Sequence, residues 1–223
     1  MARLPRPEMI LIDVDGTLVD SVPDLAYCVN AMRRFLQLPE YSETQVREWV
    51  GNGVERLVRR ALTGQLNGEP AVELFDQAYP YFLQQYAENT CVRSALYPGV
   101  RAGLDAFQQA GFRLGCVTNK AAQFTLPLLK QLGVYDDFKI VVCGDTLPAK
   151  KPDPLPLLHA AQQLGVNPAQ SLMLGDSISD VKAARAAGFG IVCMSYGYNH
   201  GADIRQADPD AVIDRFAQLL ELF

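Results

Sequence analysis

The sequence predicts an α/β protein, a doubly wound parallel sheet with a small helical cap domain inserted after the first strand. Three observations predict it. Short apolar runs recur along the chain, each ending in small or acidic residues; stretches of helical periodicity separate them; and one segment, residues 21–97, breaks the alternation by offering helical patterns alone.

The apolar runs are residues 9–12, 112–117, 138–143, 171–174 and 189–194. Runs this short and this uniformly apolar read as strands buried on both faces, as a parallel sheet requires. Helical periodicity marks residues 100–110, 121–132, 154–164 and 181–187, and Gly111, Gly133, Gly165 and Gly188 follow these stretches as C-terminal caps. Strand and helix in alternation imply a Rossmann-like core with right-handed crossovers. In the inserted segment the patterns cover 23–36, 44–50, 54–62 and 72–87, with turn signals at Gly51, Gly53 and residues 64–70. The expected division is therefore a core of residues 1–20 and 98–223 and a cap of residues 21–97. Trp49 and the apolar positions of the inserted helices are expected to form the cap's own core.

Bulk properties exclude several classes. The 223 residues are 49% hydrophobic and 20% charged, without the biases of disorder or coiled coil. A net charge of -5 argues against a nucleic-acid partner, whose phosphates are gripped by clustered Lys and Arg. Arg56, Arg59 and Arg60 stand at helical spacing and read as a solvated helix face without a catalytic role. The five cysteines form no CxxC pair, and Cys116, Cys143 and Cys193 fall in apolar runs, so buried free thiols in a reducing compartment are expected. No apolar run is long enough to span a membrane, and the opening run is too short for a signal peptide, which points to the cytoplasm. A small molecule acted on by a monomer or homodimer is the expected partnership.

In a doubly wound sheet, ligands bind beyond the carboxyl ends of the strands. The first run is followed by Asp13, Val14, Asp15, Gly16 and Thr17, the second by Thr118, Asn119 and Lys120, and the fourth by Gly175, Asp176 and Ser177. Lys150, Lys151, Pro152, Asp153 and Pro154 precede a helix. Asp13 and Asp15, two apart on extended chain, point to one side, so one carboxylate can attack while the other moves a proton; Gly16 lets the chain turn away. A calcium loop would continue with further acids, whereas Leu18 and Val19 are apolar.

A carboxylate that attacks a phosphomonoester must approach a near-dianion. One pair of unit charges 4 Å apart costs about 4 kcal/mol at an effective dielectric of 20, and a near-dianion roughly twice that. A divalent cation is required, and hard oxygen ligands suit Mg²⁺ between Asp13 and Asp176. Lys151 supplies positive charge from the other side, and the Thr118 hydroxyl holds a phosphoryl oxygen. Asp15 is expected to protonate the leaving alkoxide and then to activate water.

DVDGT at residues 13–17, TNK at 118–120, KKPDP at 150–154 and GDSISD at 175–180 occur in this order over essentially the whole chain. The pattern resembles the haloacid dehalogenase-like hydrolases. That resemblance implies Asp13 as nucleophile and Asp15 as general acid/base. It implies a metal held by Asp13, the Asp15 backbone carbonyl and Asp176, with Asp180 orienting Lys151 or a metal-bound water and Ser177 in support. Gly16, Thr17, Asn119 and Lys120 are implied as substrate contacts. Further likeness at 49–62, 144–158 and 195–201 implies 2-phosphoglycolate as substrate, with its carboxylate at the cap turn Gly51, Asn52 and Gly53. Ile12, Val14 and Cys143 depart from the usual pattern without touching the reactive groups. His159 is read as structural, and His200 as at most lining the cavity.

Alternatives remain within and beyond this reading: a sugar phosphate or nucleotide as substrate, a phosphomutase, a dehalogenase that needs neither metal nor Asp15, or a binding module without activity.

Overall fold

The computed structural model describes residues 3–223. From the N-terminus the elements are β1 (Met9–Ile12), β2 (Val19–Asp20), α1 (Val22–Phe35), α2 (Glu43–Trp49), α3 (Val54–Thr63), α4 (Val72–Glu88) and β3 (Ala95–Leu96). There follow α5 (Val100–Gln109), β4 (Arg113–Val117), α6 (Ala122–Gln131), β5 (Ile140–Val142), α7 (Leu155–Leu164) and β6 (Ser171–Gly175). The chain closes with α8 (Ile178–Ala187), β7 (Gly190–Met194) and β8 (Ala211–Ile213).

The main sheet has the order β5-β4-β1-β6-β7-β8 and is parallel throughout. Met9 stands opposite Arg113 on one side and Ser171 on the other. Alternation within β1 fills two separate apolar layers. Ile10 and Ile12 pack with Leu104, Phe107 and Leu128 from α5 and α6, while Met9 and Leu11 pack with Leu157, Ala160 and Ala184 from α7 and α8. The expected doubly wound fold follows from this two-sided burial, since each strand residue has a helix to face. Gly111, Gly133, Gly165 and Gly188 all take positive φ after α5, α6, α7 and α8, where left-handed backbone ends a helix at least cost.

The inserted helices α1–α4 gather around a third apolar cluster that includes Met32, Val46, Trp49, Val58, Phe82 and Tyr86. Phe124 and Tyr198, from outside the insertion, join it. Residues 21–97 are not helical throughout, as the pattern had implied. Ala95 and Leu96 pair antiparallel with Asp20 and Val19, so the outgoing and returning chains form a two-residue ladder. Such a ladder is too short to carry a period. Asp24 in the first turn of α1 fastens the same crossing. Wholly buried, it accepts from the backbone N–H groups of Val92, Arg93 and Ser94 and from the Ser94 hydroxyl at 2.7–3.0 Å.

Two strand expectations change. Residues 138–143 narrow to β5, because Phe138 ends a 3-10 turn and the Cys143 N–H is taken by Thr146 Oγ1. β8 was not expected; its three residues offer no pattern, yet they continue the sheet beside β7.

Candidate active site

Because β1 lies between β4 and β6, the loops leaving these three strands meet at one end of the sheet, where the chain order switches sides. Asp13 follows β1, Thr118 follows β4 and Asp176 closes on β6. With Asp15 and Lys151 they line a cleft open to solvent, which is lined also by Leu25, Leu57 and the segment Val50, Gly51, Asn52, Gly53 and Val54.

Lys151 is 2% exposed, and its ammonium makes three contacts: Asp180 Oδ1 at 2.6 Å, the Val117 carbonyl at 2.8 Å and Asp13 Oδ2 at 3.1 Å. Burial alone would strip its charge; Asp13 and Asp180 outweigh that and hold it above the usual lysine range. Asp180 is wholly buried and fully engaged, since its Oδ2 also accepts from the Ser177 hydroxyl at 2.7 Å and the Ser177 N–H at 3.0 Å. It therefore anchors the start of α8 and aims Lys151 at once. Asn119 Nδ2 adds a bond to the Lys151 carbonyl at 2.8 Å.

Asp13 accepts from the Val14 N–H at 2.7 Å. Its carboxyl is pushed up to about 6, first by burial, with Lys151 pulling the other way and Asp180 adding to the rise. Asp176, 2% exposed, is raised well above the usual range by burial and then by Asp180 and Asp13. Two carboxyls raised by burial and by one another make a site that a cation would relieve. Oxygens of Asp13, Asp176 and Asp180 lie within 4.8 Å of one another. Asp180 is already saturated by Lys151 and Ser177, which leaves Asp13 and Asp176 as the carboxylates open to a cation. That donor set, all hard oxygen, fits a divalent cation of the Mg²⁺ type.

Asp15 is met by Lys120, whose Nζ stands 3.0 and 3.2 Å from its two oxygens. Lys120 also bonds the Tyr86 hydroxyl of α4, which reaches across from the insertion. Burial opposes the Lys120 charge, and Asp15 and Tyr86 outweigh it.

Most residues singled out from the sequence line the cleft: Asp13, Asp15, Thr118, Asn119, Lys120, Lys151, Asp176, Ser177 and Gly51 to Gly53. Gly16 and Thr17, expected against substrate, stand behind Asp176 instead. Thr17 Oγ1 donates to Asp176 Oδ1 at 2.9 Å, and a Cβ on Gly16 would fall 2.2 Å from Asp176 Oδ2. Gly197 is equally close, its added Cβ falling 2.1 Å from the Asp176 Cβ. His200 lines the cleft, and its Nδ1 donates to the Glu48 carbonyl at 2.8 Å.

Three residues at the site were given no role in it by the sequence. Tyr198 donates its N–H to Asp176 Oδ2 and its hydroxyl to Asp20 Oδ1, each at 2.5 Å, linking the acidic cluster to β2. Tyr86 reaches Lys120 from α4. Arg60, read as part of a solvated face, is 5% exposed and turns inward behind Trp49, Gly51 and Asn52. Arg56 and Arg59 do lie outside, paired with Glu69 and Glu55. A covered and a solvated arginine look alike in a helical run.

The chain is 62% identical over 219 residues to a phosphoglycolate phosphatase of Nitrosococcus oceani, covering 98% of this chain and 97% of that one. It is 46% identical over 221 residues to one of Nitrosospira multiformis, covering 99% and 97%. The crystal structure of a predicted phosphoglycolate phosphatase from Haemophilus somnus 129PT superposes with a TM-score of 0.91 at 37% identity, over 98% of this chain and 99% of that one. The model of haloacid dehalogenase-like hydrolases matches residues 7–188. With strand-tip aspartates, a buried lysine and a cleft roofed by inserted helices, the chain belongs to the haloacid dehalogenase-like hydrolases and is a phosphatase.

Proposed function

We propose that this phosphatase hydrolyses 2-phosphoglycolate to glycolate and phosphate, with Asp13 as nucleophile and Mg²⁺ as its cation. The observation that carries the reading is the convergence of Asp13, Asp176 and Lys151 on the mouth of a single cleft whose far wall is the Gly51–Gly53 turn. The names of the relatives support the choice of substrate.

In the first step an Asp13 oxygen bonds to phosphorus as the bond to the leaving alkoxide breaks, and Asp15 gives that alkoxide its proton. In the second step Asp15 takes a proton from water, whose oxygen displaces Asp13 and releases phosphate. Lys151 and Thr118 hold phosphoryl oxygens whose charge rises in both transition states. Asp13, Asp176 and the Asp15 carbonyl would hold Mg²⁺, which when bound would offset the charge that otherwise keeps carboxylate and phosphate apart. Lys120 sets the direction of the Asp15 carboxyl, and Asp180 that of Lys151.

Residues 21–97 act as a cap domain that closes over small substrates and excludes water. The Val19–Leu96 and Asp20–Ala95 pairs are its two-stranded stem. The enzyme works in the cytoplasm as a monomer or homodimer on small molecules rather than nucleic acid. The free cysteines and the net charge of -5 are in keeping with that, and among the described residues no helix is long and apolar enough to cross a membrane.

A panel of small phosphate esters, with Mg²⁺ and with EDTA, tests the reading. The highest kcat/KM is expected for 2-phosphoglycolate, with activity lost in EDTA; a clear preference for hexose phosphates would replace the substrate.

A further inference from the structure

Arg60 is a buried cation for which no residue among those described supplies a counter-charge. Its guanidinium donates to the carbonyls of Trp49 at 2.7 Å, Leu66 at 3.0 Å and Gly51 at 3.1 Å, and to Asn52 Oδ1 at 2.9 Å. All four acceptors are neutral. Among the described residues it enters no ion pair, although its helix neighbours Arg56 and Arg59 share Glu69 and Arg59 also pairs with Glu55. Burial and the nearby Arg56 push it down to about 10, so it stays charged at neutral pH. Burying a charge among neutral groups is costly, and a negative ligand at the same place recovers part of that cost.

The loop that Arg60 holds faces the cleft opposite Asp13 and Lys151. Most of its acceptors are already engaged. Besides the Trp49 and Gly51 carbonyls bound to Arg60, the Glu48 carbonyl accepts from His200 and the Asn52 carbonyl from Lys150 Nζ at 3.4 Å. With Oδ1 taken by Arg60, Asn52 is left to present Nδ2, which stands 3.5 Å from Ser179 Oγ. The N–H groups of Asn52 and Gly53 donate to no acceptor among the described residues. Positive φ at Gly51, Asn52 and Gly53 makes this arrangement possible. A wall of donors, backed by an unbalanced cation, is matched to an anion.

We propose that Arg60 is a positioning residue that makes the cap-side end of the cleft selective for phosphate esters bearing a carboxylate, by occupying the Trp49 and Gly51 carbonyls and Asn52 Oδ1 and lending its charge. The proposal rests on the 2-phosphoglycolate reading. It extends that reading to a residue that touches no substrate.

The test compares kcat/KM for 2-phosphoglycolate with that for its carboxamide, which has the same size without the charge, on the full chain with Mg²⁺. Wild-type enzyme is expected to favour the acid. Arg60→Met and Asn52→Asp should each lower the acid-to-amide ratio by about tenfold or more, mainly through KM for the acid. Asn52→Asp keeps the bond to Arg60 and neutralises it from within the protein, so it reports even if Arg60→Met does not fold. Arg60→Lys, which restores charge without the fork of donors, should recover the ratio only in part. A wild-type preference for the acid that survives in Asn52→Asp, with both substrates affected alike, would overturn the role of Arg60 and leave the substrate reading standing. A wild-type enzyme that does not distinguish acid from amide would overturn the substrate reading and this inference together.

Discussion

Lys151 Nζ lies 3.1 Å from Asp13 Oδ2, both groups nearly sealed from solvent, and the same ammonium is 2.6 Å from Asp180 Oδ1. One cation thus serves two carboxylates, one proposed to react and one to aim. Replacing it with an apolar side chain leaves two buried negative charges facing each other. Lys151→Met is expected to cost about 3–5 kcal/mol of stability, the range for breaking a buried pair, and to lower turnover at least about a thousandfold. Denaturant unfolding and steady-state rates check both; an unchanged midpoint would show that the pair does not hold this end of the sheet.

The proton and the metal should compete. Asp13 titrates near 3.8 in open chain and at about 6 in the folded, metal-free protein, where burial is the main cause. The folded state therefore holds a proton more tightly than the unfolded chain. For this group, metal-free stability is greatest below about 4, falls as pH rises and has been lost above about 6. Cation binding offsets that loss where the carboxyls are ionised. The rise in Tm on adding Mg²⁺ should be small at pH 5 and large at pH 8. Equal increments at both would contradict the assignment of Asp13 to the metal.

Gly197 leaves the space that Asp176 occupies, and its backbone is not in the left-handed region. Gly197→Ala should displace the Asp176 carboxylate while straining little else. An increase of about 10–100-fold in the Mg²⁺ concentration for half-maximal activity is expected, as for other groups that orient metal ligands. Mg²⁺ titration of the rate reads it directly, and an unchanged half-saturation would place Asp176 outside the metal site.

Asp24 gathers three backbone N–H groups and a hydroxyl where the chain returns from α4. Asp24→Ala strands those donors in a buried place. A loss of about 2–4 kcal/mol is expected from several unsatisfied groups, with activity per folded molecule changed little. Unfolding curves with and without substrate check it.

Much of this was legible because burial on both faces writes itself into short runs. Met9–Ile12 is apolar at every position, and each of its side chains has a layer to fill. Asp13, Thr118 and Asp176 could be found because each stands one or two steps past such a run. What stayed hidden depends on contacts between distant segments. Tyr198 meets Asp20 across the fold, and Thr17 lies behind Asp176 rather than facing the cleft. The β2–β3 ladder has too few residues for a period. Arg60 shares its spacing with two solvated arginines, and only the covering of its helix face separates it from them.

The central claim is a covalent one, and acid-quenched mass spectrometry of the enzyme during turnover reads it most directly. A phosphoryl adduct on the peptide bearing Asp13, absent from Asp13→Asn, is the expected result. Turnover without any such adduct, together with inversion rather than retention of configuration at a chiral phosphorus, would mean that water attacks the ester itself.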